Sequence, residues 1–318
     1  MVFAKISRCS FLLILFLSGF LFAQEDSLKL PYPLQKFAKE MTQAVMLLDY
    51  DKALAIAWEI KSKDSGAGCV WENMILISRF DDLGDTLDMI RADQNLSECK
   101  AGGLWETLRD FEKGFTQSAL GHSVKGALGT RAAAKVFGES EDPDARAFFA
   151  VYAYYVDQSF SWVPFFSDNR EEYIRVLRER SLHSELFAPL FGTSLIWIYY
   201  DRGEFQHALA LADQFLVRYP GHPVFLQIRA DMLYALKNYE AAAAIYEKSA
   251  AEYPERSGYS IRYWCAVMNL ILIYGDMGNT EKKEAWLKRL DHESFRALKR
   301  WLPASLLQSL KKKSGLQV

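Results

Sequence analysis

Proline and glycine are scarce in this chain of 318 residues, at 9 and 18. With so few breakers and 50% hydrophobic residues, the composition excludes a disordered or collagen-like chain and supplies a sizeable core. Neither sign of charge dominates: 38 Lys and Arg against 40 Asp and Glu give a formal net charge of -2. Nucleic acid is therefore not an expected partner, because neutralising phosphates favours a strong basic excess. Beyond the first residues no stretch is long and apolar enough to span a bilayer.

Catalytic signatures are missing as well. The histidines, His122, His183, His207, His222 and His292, are scattered without paired-ligand spacing, which leaves a zinc site without support. There is no Gly-x-Ser-x-Gly elbow and no phosphate-cradling Gly-Lys-Ser/Thr loop. Glu293-Ser294-Phe295 resembles the Glu-Ser opening of lytic transglycosylases, but that family needs a lysozyme-like domain after it, and 23 residues follow Phe295. The expectation is a chain that is not an enzyme and that carries no cofactor or metal.

What is present begins with Lys5 and Arg8, an apolar run from Phe11 to Phe22, and the small residue Ala23. About twelve apolar residues are too few for a transmembrane helix and fit a secretory signal peptide over 1–23. No Cys comes just after the run, the only one nearby being Cys9 on its N-terminal side, so a lipid anchor is not expected. The mature protein is expected to be periplasmic or extracellular, with 36 basic against 40 acidic residues, a charge of -4. It keeps Cys69, Cys99 and Cys265, an odd number, so one thiol stays reduced or pairs elsewhere. Cys69 begins one helical pattern and Cys99 lies just past the next. An antiparallel hairpin would bring the two together as a disulfide, and three buried reduced cysteines are the alternative.

Helical periodicity dominates from residue 32, with no convincing alternating strand pattern, so the fold class is all-α. Ser65-Gly66-Ala67-Gly68 reads as a break before a helix from Cys69 to Arg79, Asp81 or Asp82 as the cap of the next helix, and Asn95 to Gly103 as a loop. Asp142-Pro143-Asp144-Ala145 combines a turn with a helix start. Further helices are expected down to one at 293–312, which Pro303 kinks or restarts.

A period of 34 residues organises the C-terminal half. Gly203-Glu-Phe205-Gln-His-Ala208 aligns with Lys237-Asn-Tyr239-Glu-Ala-Ala242, and Tyr219-Pro220 with Tyr253-Pro254. This resembles the tetratricopeptide repeat, with Leu195, Tyr199, Gly203, Phe205, Ala208 and Pro220 at its positions in one unit and Ala230, Tyr239, Ala242, Tyr246, Ser249 and Pro254 in the next. Small residues let two helices approach, aromatics fill the gap to the next hairpin, and the proline ends the second helix. A degenerate unit with Tyr274, Gly278 and Ala285 follows, and Asp49-Tyr50-Asp51-Lys52-Ala53 fits the same inter-helix pattern weakly. The resemblance implies a right-handed superhelical solenoid of antiparallel hairpins. The expected division is 24–186 as degenerate hairpins, 187–290 as repeats, and 291–318 as a capping helix with a basic tail. Gly126 to Lys135, the Asp142 turn, Tyr152-Ala-Tyr154-Tyr155, Pro164 and Asp168-Asn-Arg170-Glu171, in that order, are similar to exported bacterial tetratricopeptide proteins of unassigned function.

The same resemblance implies a binding role, with the first helix of each hairpin lining a concave face for a peptide or partner protein. Those positions are Thr193, Trp197, Tyr200, Asp201, Gln227, Asp231 and Tyr234. Aromatic anchors among polar groups suit a recognition groove, although Trp197 and Tyr200 could instead pack on a neighbouring helix. The Lys and Asn pattern that clamps a C-terminal carboxylate in chaperone-binding relatives is absent. From Phe148 to Phe166 nine of nineteen residues are aromatic, which fits either a helix packed on both sides or, as the alternative function, a pocket for a small ligand or glycan. Residues 281–313 hold ten Lys and Arg against four acids, on a helix that caps the array or meets an acidic partner.

Overall fold

The computed structural model describes residues 27–162, 168–257 and 259–314. The expected signal peptide, Pro164, Phe165 and Phe166 lie outside them. Among the described residues the regular structure is helical throughout, with sixteen α-helices in which consecutive helices pack on one another. No described helix is long and apolar enough to cross a membrane. The chain forms two compact units: one of 27–79 with Thr86–Leu195, the other of Phe80–Asp85 with 196–314. The boundary between Leu195 and Ile196 lies inside a helix.

The first unit contains α1 (Tyr32–Met46), α2 (Tyr50–Lys63), most of α3 (Ser65–Leu83), α4 (Thr86–Glu98), α5 (Gly103–Ala119), α6 (Ser123–Glu139), α7 (Pro143–Phe160) and α8 (Arg170–His183). Neighbours in sequence are neighbours in space: α1 lies on α2, α4 on α5, α5 on α6, α6 on α7 and α7 on α8. Aromatic rings fill the centre. Phe148 sits 6.0 Å from Phe111, 5.5 Å from Phe137, 5.2 Å from Phe187 and 5.1 Å from Phe191, centroid to centroid. Edge and offset geometries at these separations suit ring quadrupoles and add to the burial gain. Asp142 caps α7 by accepting from the backbone N–H of Asp144 and Ala145 at 2.9 Å, with Pro143 in the first turn. Its other oxygen receives Ser27 Oγ at 2.7 Å and Leu28 N at 3.2 Å, which ties the start of the described chain to this helix.

Three expectations are corrected here. The break at Ser65–Gly68 does not occur, because α3 starts at Ser65 and a Cβ on Gly68 would stand 2.2 Å from the backbone nitrogen of Lys61. Glycine at 68 serves a close crossing of α2 and α3. Nor do Asp81 and Asp82 cap the next helix: both belong to α3, and Asp82 is a buried ion-pair partner of Arg262 at 2.5 Å within the second unit. The loop expected from Asn95 is shorter, since α4 runs to Glu98.

The second unit holds the end of α9 (Ala188–Asp201), then α10 (Phe205–Arg218), α11 (Pro223–Ala235), α12 (Tyr239–Ser257), α13 (Ile261–Asp276), α14 (Thr280–Leu287), α15 (Glu293–Leu298) and α16 (Ala304–Ser314). Its core is α13, buried along nearly its whole length against α12, α14 and α16. Ala208, Ala230 and Ala242 are fully buried, as helix contacts built on small residues require. Pro254 does not end its helix: α12 continues through it to Ser257. The helix expected at 293–312 is two, α15 and α16, separated by a 3-10 turn at Lys299–Trp301 and by Pro303.

One turn recurs between paired helices. Leu48, Gly203, Lys237 and Gly278 all take left-handed backbone, with φ of 59°, 75°, 62° and 71°. In each case the next N–H reaches back five residues, Asp49 to Ala44 O, Glu204 to Tyr199 O, Asn238 to Leu233 O and Asn279 to Tyr274 O, at 2.8–2.9 Å. This is the Schellman arrangement, which satisfies a carbonyl at the end of one helix. Asp49 and Asn279 then cap the following helix by accepting from Lys52 N and Lys282 N. Thus the weak Asp49 pattern marks the same local structure as the strong one at 203.

Candidate functional site

The positions proposed for recognition sit on α9 and α11. Thr193 falls in the first unit, where its hydroxyl donates to Pro189 O of its own helix at 2.8 Å. The other six belong to the second unit. Trp197 is half-buried with its ring 5.6 Å from that of Tyr200, and Tyr200 is 38% exposed and lies 5.4 Å from Phe205. Trp197 and Tyr200 brace each other, and part of the Tyr200 side chain stays exposed. Asp201 reaches solvent at the end of α9, and desolvation by its surroundings raises its carboxyl above the ordinary value.

On α11, Gln227, Asp231 and Tyr234 follow at steps of four and three residues, so they share one helix face. Gln227 is buried, and its Oε1 has no donor. Asp231 is braced from behind: Oδ1 accepts from the Tyr246 hydroxyl and from Asn269 Nδ2 at 3.4 Å, and Asn269 also donates to Tyr246 Oη at 3.0 Å. Burial raises the Asp231 carboxyl to about 7, although the Tyr246 hydrogen bond works the other way. Burial, and then the Asp231 charge, push the Tyr246 phenol well above its usual value. The Tyr200 phenol is raised by burial first and by the Asp231 charge second.

Tyr234 faces an occupied corner. Its hydroxyl donates to Asp276 Oδ2 at 2.7 Å, and Lys313 Nζ lies 2.7 Å from both Asp276 oxygens and 3.2 Å from Tyr234 Oη. The phenol is pushed up to about 12, by burial and then by the bond it donates to Asp276. The same Lys313 pairing holds the Asp276 carboxyl below its usual value.

Sequence reasoning missed Asn269, Asp276 and Lys313. Asn269 had a signal, as the polar residue within the apolar run from Trp264 to Tyr274. Asp276 had one too: it precedes Gly278 by two residues, as Asp201 precedes Gly203. Lys313 had none, because a lysine in a basic tail reads as solvated.

Cys69 and Cys99, both buried, are joined as a disulfide with Cα atoms 6.1 Å apart, at the start of α3 and just past α4. Cys265 is buried in α13. The aromatic segment divides: Phe148 and Tyr154 are core, Tyr152, Tyr155 and Phe160 are half-buried, and Trp162 is 78% exposed with its indole N–H bonded to Ser159 O. Among the described residues no group of His, Cys, Asp and Glu is placed to hold a metal ion.

No protein-family model matches the sequence, and no curated protein matches it. Among solved structures, NprR in complex with its cognate peptide NprX is similar over 82% of this chain and 78% of that chain, with a TM-score of 0.45 at 13% identity. That likeness is too distant to carry function across.

Proposed function

We propose that this chain is an exported, non-enzymatic helical-repeat scaffold that binds a peptide or protein segment on the face carried by α9 and α11 in its C-terminal unit. The observation that carries this reading is the Asp231 carboxyl, held in place by Tyr246 and Asn269, with the partly exposed ring of Tyr200 at the end of α9. A polar group fixed by buried partners loses little freedom on binding, and aromatic surface beside it supplies contact area at low entropic cost. The apolar N-terminal run and the Cys69–Cys99 disulfide support an oxidising compartment outside the cytoplasm. Burial of Phe148 and Tyr154 in the core of the first unit weighs against an open aromatic pocket.

The test is selection of a displayed random peptide library on the purified protein, with a Trp197→Ala/Tyr234→Ala variant as counter-screen. Peptides retained by the protein and lost by the variant support the reading. Peptides retained equally by both, or none at all, overturn it.

A further inference from the structure

The acceptors on α11 bear on what such a ligand carries. Gln227 is 4% exposed, with a carbonyl oxygen that no donor reaches. One turn on, Asp231 has Oδ1 engaged by Tyr246 and Asn269, and no basic side chain pairs with this carboxylate among the described residues. A further turn along, the chain has filled the equivalent place itself. There the Lys313 ammonium rests between the two oxygens of Asp276 and the hydroxyl of Tyr234, 5.8 Å from the centre of the Tyr234 ring. Carboxylate, phenol oxygen and ring face together are a recognised way of holding an ammonium. At Asp231 the same kinds of group recur with no basic side chain of the described residues paired to them: a carboxylate, the Tyr200 phenol and the Gln227 carbonyl.

We propose that Asp231 seats a cation of the peptide ligand, either the amine or guanidinium of a Lys or Arg side chain or a free N-terminal amine, with Gln227 as second acceptor and Tyr200 alongside. This rests on the binding face proposed above and names the chemistry it selects. An acceptor with no donor in the free protein gives up no hydrogen bond when a ligand N–H arrives, so the cation gains more there than at a satisfied site. The charge complementarity also sets direction: this face offers carboxylates and carbonyls, and the cation paired at Asp276 and Tyr234 comes from α16.

The experiment starts from a peptide selected as above and synthesised in three forms: unaltered, N-acetylated, and with its Lys and Arg replaced by norleucine. Each is titrated by calorimetry against the protein and against Asp231→Asn. Asparagine keeps an acceptor for Tyr246 and nearly the same shape, and matched melting curves check the fold. The expected result is a loss of roughly tenfold or more on Asp231→Asn. The same loss is expected for whichever peptide form lacks the seated cation, with little further loss when the two changes are combined. The peptide arms stand even if the variant folds poorly. Equal affinity for all three peptide forms, or for protein and variant, overturns the cation seat while leaving the binding face intact. Failure to select any peptide that the Trp197→Ala/Tyr234→Ala variant loses overturns the face and the seat together.

Discussion

Glu112 shows how much one side chain can set the pH response. It lies on the buried face of α5 at 6% exposure, with neither carboxylate oxygen hydrogen-bonded, and burial raises its carboxyl well above the ordinary range. Because the folded value exceeds the unfolded one, the native state holds a proton that the unfolded chain has released. The contribution of this group to stability is therefore fully present in acid and is lost as pH rises from about 4. Glu112→Gln removes the ionisation, so it is expected to melt higher than the parent at pH 8, by about 1–3 kcal/mol. At pH 4 the difference should vanish. Thermal melts at the two pH values check this, and a loss at pH 8 would mean that a cation reaches the carboxylate. Asp231, raised to about 7, leaves a second slope of the same sign below that pH. The sequence held part of this: Glu112 stands four residues after Leu108 and next to Phe111, on the stripe that α5 buries. That spacing is compatible with an inward position, but nothing in the chain's local order says whether an inward acid finds a partner.

The repeated turn is the clearest case of an element legible in sequence. Gly203 and Lys237 are 34 residues apart, and both adopt the left-handed region, which costs a side-chain-bearing residue roughly 1 kcal/mol relative to glycine. Lys237→Gly is accordingly expected to stabilise the second unit by about 0.5–1 kcal/mol, a gain reduced by the greater freedom of glycine in the unfolded chain. Urea unfolding at pH 7 reads it, and a destabilised variant would show that the Lys237 side chain makes contacts that outweigh its backbone strain. What misled at this scale was the assumption that a residue type has one use. Gly68 reads as a breaker yet supplies a close helix crossing, and Pro254 reads as a terminator yet sits inside α12. Asp82 reads as a cap because acids favour helix starts, whereas its partner Arg262 is 180 positions away and invisible to any local pattern.

At the scale of the molecule, the signal was the regular succession of helices, and the division into two units was not legible. A continuous 34-residue rhythm gives no hint that compactness changes partway along α9, or that Phe80–Asp85 belongs with the C-terminal unit. The face proposed for binding was read from position within the repeat, while the groups that fix Asp231 came from helices brought together only by folding. Closing Cys69 to Cys99 over a separation of 30 residues is worth about 3–4 kcal/mol through the unfolded chain's lost freedom. Reductant should lower the melting temperature of the purified protein and leave that of a Cys69→Ser/Cys99→Ser variant unchanged. Equal melting with and without reductant would mean that the bond does not form in solution.

The same closure has a mechanical meaning. Phe80–Asp85, the stretch through which the chain visits the C-terminal unit and returns, lies wholly inside the loop that the disulfide closes. Tension applied to the two ends of the polypeptide passes from residue 69 to residue 99 through sulfur and bypasses everything between. About 100 Å of contour is thereby withheld from stretching. The backbone of the visiting segment lies off the covalent path between the two ends, and a protease cut anywhere in the loop leaves both fragments tethered until the bond is reduced.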